Sequence, residues 1–238
     1  MPSVTIDQRF CGPPNSANGG YFSGVLAAVA GASVAVRLLK PPPLDVPLEV
    51  VEGGEGVVEL RRGEELIGQT RPNRIPAPAV RPPTYVEAVQ ASQHYVGFDH
   101  HPFPTCFVCG PRRQRGDGLR IFPGALEGRD VVAAPWVADE SLAAADGKVR
   151  PEFMWAALDC PGWLAALTDA RIALLGELTV HIDRRVRIGD RCLVLGWRAG
   201  GSGRKHEAGT ALYDEDGVLC GYGSAIWIEP RSEALRAG

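Results

Sequence analysis

The sequence predicts an α+β fold built from two tandem units, each a helix set against an antiparallel sheet. Three observations predict it. Glycine (29) and proline (20) are abundant in 238 residues, which favours turns and short strands over a helical bundle. A small-residue helix followed by a meander of strands occurs early in the chain, the segregated pattern of α+β proteins. The same plan then recurs. Each half has a turn-rich start, a helix, a strand, a pair of strands around a Gly-Gly turn and a last hairpin. Val51 to Gly56 corresponds in position to Arg198 to Gly203, and Glu64 to Gln69 corresponds to Asp216 to Gly221. What repeats is architecture more than sequence, and the first copy is shorter.

Taken in order, residues 4–10 can form an opening strand. Phe10 to Tyr21 is turn-rich and leads into a small apolar helix over 20–30. Val34, Val36 and Leu38 alternate on one side of a strand over 33–39, which Pro41-Pro42-Pro43 ends. Strands follow over 48–52, 56–60 and 65–70, separated by Gly53-Gly54 and Gly63-Glu64. Residues 71–103 are proline-rich, with a short helix over 85–93, and read as a surface crossing. The units are thus 1–80 and 104–232, with a linker over 81–103. In the second, 131–136 is a strand, a helix starts at Arg150, and strands follow over 176–183, 191–198, 207–213 and 218–228.

A hydrophobic content of 45% suffices for a full core. A net charge of −3 gives no reason to expect nucleic acid, and no basic block extends beyond Arg112, Arg113 and Arg115. No apolar run reaches the ~18 residues that span a membrane, and the start lacks the pattern of a signal peptide. Six cysteines in a chain of this length make no dense disulfide framework, so a cytoplasmic location is expected.

The Arg150 helix carries the main chemical signal. Pro151 suits its first turn. Asp159 then sits in an apolar run with Trp155 four residues before and Trp163 four residues after, and Glu152 lies on the same stripe. A carboxylate between two indoles is desolvated and becomes a better base. Pro161-Gly162 interrupts the helix just past it. Local rules broken beside a buried acid point to a site; the competing reading is that Asp159 caps a second helical piece. Glu152 is about 10 Å from Asp159 along a helix, too far to share a proton, which leaves a first-turn dipole partner or a substrate contact. Cys106-x-x-Cys109 reads as a structural hairpin, as a metal site completed to four ligands by His100 and His101, or as a redox pair, for which the helical context is missing.

Asn18-Gly19-Gly20-Tyr21, Cys106-Phe107-Val108-Cys109-Gly110 with Gly118-Leu119-Arg120, Leu158-Asp159, and Asp214 to Leu219 together resemble the hotdog-fold thioesterase superfamily in its double-hotdog form. The resemblance covers most of residues 5–230. It implies two units, each a long helix wrapped by an antiparallel sheet, that pair further into homo-oligomers through their sheets. It implies hydrolysis of an acyl-CoA or related acyl thioester, with Asp159 as general base or nucleophile, and no cofactor. The thioester carbonyl would meet backbone N–H groups near Gly19 and Gly20, with Asn18 and Glu152 as further substrate contacts. It also favours the hairpin reading of the CxxC, so no metal is assigned. Asp159 lies nine residues beyond Arg150, whereas Ala27 lies nine beyond Asn18, which makes the second half the competent one. Two departures stand out. Arg150-Pro151-Glu152 replaces the family's His-Gly-Gly, and Gly223-Ser224-Ala225 stands where some members carry a Gln. A dehydratase would pair the acid with a nearby His, and position 164 is Leu. The other reading is a non-catalytic protein that binds acyl-CoA or a small ligand in the same groove.

Overall fold

Asn18 starts the first helix, α1 (Gly19–Ala30), by accepting the Tyr21 N–H on its side chain at 2.9 Å. Gly31 ends it in the left-handed region, at φ 66°. The computed structural model describes residues 2–31, 33–167 and 172–231. Around α1 the first half supplies β1 (Ser3–Val4), β2 (Val34–Leu38), β3 (Leu48–Glu52), β4 (Val58–Arg62) and β5 (Glu65–Pro72). The helix α2 (Tyr85–Gln93) follows, and then β6 (Gly124–Ala125) and β7 (Val132–Val137). The rest comprises α3 (Pro151–Ala157), α4 (Cys160–Ala166), β8 (Leu174–Ile182), β9 (Arg191–Ser202), β10 (Lys205–Asp214) and β11 (Leu219–Ile228).

The strands form one antiparallel sheet in the order β1-β3-β4-β5-β2-β8-β11-β10-β9-β7-β6. Strands from before residue 73 lie on one side of the β2–β8 pair and strands from after residue 123 on the other. That pair is short, with Val36 opposite Leu178 and Arg37 opposite Glu177. On β9, Cys192 and Val194 join the main core with α1, α3 and α4, while Leu193 and Leu195 join a second apolar cluster under α2. Alternate strand residues face opposite sides, so α2 covers the back of the sheet. The linker helix is fixed there by a capping box between Thr84 and Glu87. Among the described residues no helix is long and apolar enough to cross a membrane.

Two sequence expectations need correction. Only Ser3–Val4 of the opening segment is a strand; Asp7 accepts the Arg9 N–H and turns 8–10 into a single 3-10 turn. The Arg150 helix is not one long helix but two pieces of seven residues, α3 and α4, parted at Leu158-Asp159 rather than at Pro161-Gly162. Pro161 has no N–H to donate to Ala157, so the ladder must break upstream of it. It then sits harmlessly in the first turn of α4. The Leu158 carbonyl released by the break accepts the Thr210 hydroxyl at 2.9 Å.

α1 and α3 pack against each other through a face of small residues. A Cβ placed on Gly24 would lie 2.6 Å from the Glu152 Cα and 2.8 Å from the Trp155 Cβ. Backbone cannot yield as a side-chain tip can, so Gly24→Ala should cost about 1–3 kcal/mol. Urea unfolding of parent and variant measures this directly, and equal midpoints would show that helix spacing does not depend on this glycine.

Candidate functional site

The break between α3 and α4 leaves Asp159 at the Ncap position of α4, yet its side chain makes no capping bond. The carboxylate turns instead to the start of α1. Oδ2 accepts the Asn18 amide at 2.9 Å and the Gly20 N–H at 2.9 Å. Oδ1 is buried and accepts no hydrogen bond. Asn18 therefore uses both ends of its amide, Oδ1 capping α1 through Tyr21 and Nδ2 holding the acid. Gly20 is required by contact: a Cβ there would lie 2.4 Å from the Asp159 Cβ and 2.9 Å from the Trp155 carbonyl.

Asp159 is 1% exposed. Burial raises its pKa from the ordinary 3.8 to about 7, the Cys106 sulfur adds to the rise, and the Gly20 N–H and Asn18 amide oppose it. The positive end of α1 lies at the same carboxylate and favours its charged form. Near neutral pH the group is thus divided between acid and base, the range in which a general base works best.

Asp159, Asn18 and Gly19 line a cavity of about 380 Å³ together with apolar side chains such as Leu38, Phe103, Trp163 and Leu175. This is within the usual size of small-ligand sites. Among the described residues the Gly19 N–H, at the first turn of α1, makes no hydrogen bond. The indole N–H of Trp227, another cavity residue, is also buried without an acceptor.

The structure places the sequence candidates unevenly. It brings Asn18, Gly19, Gly20 and Asp159 together across 141 positions of chain. The Gly20 N–H is already committed to Asp159, which leaves Gly19 alone of the two as a free backbone donor. Glu152 is not among the cavity residues; it sits in the first turn of α3 with its carboxylate 3.4 Å from the Arg150 Nε. Trp163 lines the cavity but Trp155 does not, because the helix break undoes the i, i+4 spacing on which the two-indole reading rested. In the short basic run, Arg113 donates to the Arg9 and Thr105 carbonyls and to Asp117.

Sequence reasoning missed the third thiol. Cys160 joins Cys106 and Cys109 on the cavity wall, with the Cys106 and Cys160 sulfurs 3.9 Å apart. Hydrogen bonding with the Cys109 and Cys160 thiols holds the Cys106 pKa well below the usual thiol value despite burial. The adjacency of Cys160 to Asp159 was the only available signal. His101 lies beside them, with Nε2 3.3 Å from the Cys109 sulfur.

No family model and no curated protein sequence matches the chain. Among solved structures, the tesB protein of Mycobacterium avium subs paratuberculosis superposes with a TM-score of 0.63 at 15% identity. That match covers 96% of this chain and 92% of that one. The fold is that of the hotdog thioesterases. A candidate thioesterase from Novosphingobium aromaticivorans gives a TM-score of 0.59, also at 15% identity, covering 96% of this chain and 95% of the other. Both structures are matched along nearly their whole length.

The raised Asp159 pKa has a consequence for stability. The native state holds this proton up to pH about 7 while the unfolded chain releases it near 3.8, so this group's contribution to stability is present at pH 3 and is lost as pH rises through 7. The loss is on the order of 4 kcal/mol when complete. Asp159→Asn cannot ionise and its amide oxygen can still accept from Asn18 and Gly20. Its melting temperature should exceed that of the parent at pH 8, and the gap should close toward pH 4. Parallel melting curves across that range decide it; a gap that does not change with pH would sink the assignment.

Proposed function

We propose that the protein hydrolyses an acyl-CoA or a related acyl thioester, with Asp159 as general base. The observation that carries this reading is a buried carboxylate with one oxygen pinned and the other unpartnered, on the wall of a largely apolar cavity at a helix N-terminus. Oδ1 takes a proton from water as the oxygen attacks the thioester carbonyl. The developing oxyanion is met by the Gly19 N–H and the positive end of α1. Collapse breaks the C–S bond, and Asp159 returns the proton to the departing thiolate. Products are the carboxylic acid and the free thiol. The apolar walls suit an acyl chain, and the fold shared with the candidate thioesterase from Novosphingobium aromaticivorans supports the choice of substrate class.

The same reading takes the chain as two hotdog units, 1–80 and 104–232, joined by 81–103. It is supported by the way early and late strands segregate to either side of the β2–β8 pair. Six free, buried cysteines support a reducing, cytoplasmic setting. Glu152 enters as the Arg150 partner in the first turn of α3 and not as a substrate contact.

The test is a panel of acyl-CoAs of graded chain length, followed by free-thiol detection. The parent should turn over at least one, and Asp159→Asn should lose about 10²–10⁴-fold in kcat. Unchanged turnover in the variant rejects the site. Binding of acyl-CoA with no turnover in the parent selects the non-catalytic alternative.

A further inference from the structure

Two stretches of chain far apart in sequence deliver three thiols to one point. The sulfurs of Cys106, Cys109 and Cys160 all lie within 4.8 Å of one another, and each residue is at most 5% exposed. Buried cysteines usually pack as small hydrophobes, and convergence alone would not separate that from a site. The surrounding backbone does. Residues 106–110 fold into a tight knuckle: the Gly110 N–H donates to the Cys106 carbonyl at 2.9 Å, and a Cβ on Gly110 would lie 2.5 Å from both the Cys106 nitrogen and its oxygen. The Asn18 side-chain amide is turned toward two of the sulfurs, with Nδ2 3.9 Å from that of Cys106 and 4.0 Å from that of Cys160. Plain packing gives no reason to aim N–H donors at sulfur, whereas a thiolate ligand needs them to offset its charge.

We propose that Cys106, Cys109 and Cys160 form a three-thiolate site for a zinc-class divalent cation. Its fourth position belongs to the cavity and takes water or a ligand atom. Three thiolates select borderline-soft ions over magnesium or calcium. On binding, three S–H protons go to solvent and the complex carries a net charge of −1. The Asn18 amide at the Cys106 and Cys160 sulfurs offsets part of that charge.

His101 is the obvious fourth ligand, and the geometry argues against it. Its Nδ1 accepts the Phe103 N–H at 2.8 Å, so in the neutral ring the proton sits on Nε2. That nitrogen donates to the Cys109 sulfur and is not free to ligate. Nor does it join the group of ligand atoms that all lie within 4.8 Å of one another. His101 is therefore a positioning residue for the Cys109 thiolate. Asp159 is likewise outside the ligand set, so the metal site stands independently of the hydrolase reading.

The experiment is metal analysis of the full chain, purified under reducing conditions without chelator. We expect about one zinc per chain in the parent and in Asp159→Asn, and almost none in Cys160→Ser. Because the serine variant could lose metal by misfolding, the parent is also stripped and titrated with cobalt(II). A near-ultraviolet thiolate-to-cobalt absorption should appear and then vanish on adding zinc. His101→Ala should keep that band with affinity about 10–100-fold weaker. No zinc together with no cobalt–thiolate band in the parent, or undiminished metal in Cys160→Ser, overturns the proposal. Complete loss of the band in His101→Ala would make His101 the fourth ligand and overturn the open position.

Discussion

The interaction on which the rest of the molecule depends is the double hydrogen bond to Asp159 Oδ2 from the Asn18 amide and the Gly20 N–H. It ties the first turn of α1 to the break between α3 and α4, and it needs backbones closer than an ordinary side chain permits. Gly20 and Gly24, one turn apart, supply that closeness on a single face of α1. Asn18 serves the tie from both ends of one side chain. An unpaired carboxylate in this position would be costly to bury; a carboxylate pinned on one oxygen is tolerated, with its pKa raised.

This arrangement spends local regularity on position. A continuous helix through residues 151–166 would have satisfied its own backbone. Pro161 forbids it, and the released Leu158 carbonyl is recovered only because Thr210 on a neighbouring strand reaches it. Asp159 sits where a helix cap belongs and does not cap. A residue that declines the nearest favourable bond for a distant one is held by the tertiary structure, and that favours a chemical role over a stabilising one.

The cavity joins two kinds of chemistry at one wall. On one side are the acid and the free N–H at the start of α1. On the other are three thiols and the imidazole that faces them. Cys160 follows Asp159 directly in sequence, so any shift of the helix break moves both. The acid and the thiols are thus mechanically linked through the first turn of α4 and through the Asn18 amide at the start of α1.

Much of the fold was legible in the sequence. Period-two alternation in segments such as 33–39 and 176–183, and the proline and glycine punctuation between strands, marked the sheet. The turn-rich stretch from Phe10 to Tyr21 before a run of small residues marked α1, and a short helix was marked over 85–93. These are local effects of side-chain alternation and turn conformation, which a chain expresses wherever it goes. The residues Asn18, Gly19, Gly20 and Asp159 could also be picked out singly. What only the tertiary structure decided was who meets whom. The Gly20 N–H was consumed by the acid, Glu152 was turned to Arg150, and Trp155 was separated from Trp163 by the helix break. Cys160 was carried 54 positions back to Cys106. Such pairings are set by the packing of α1 against α3 across one shared sheet, and no local pattern encodes a distance between segments so far apart in the chain.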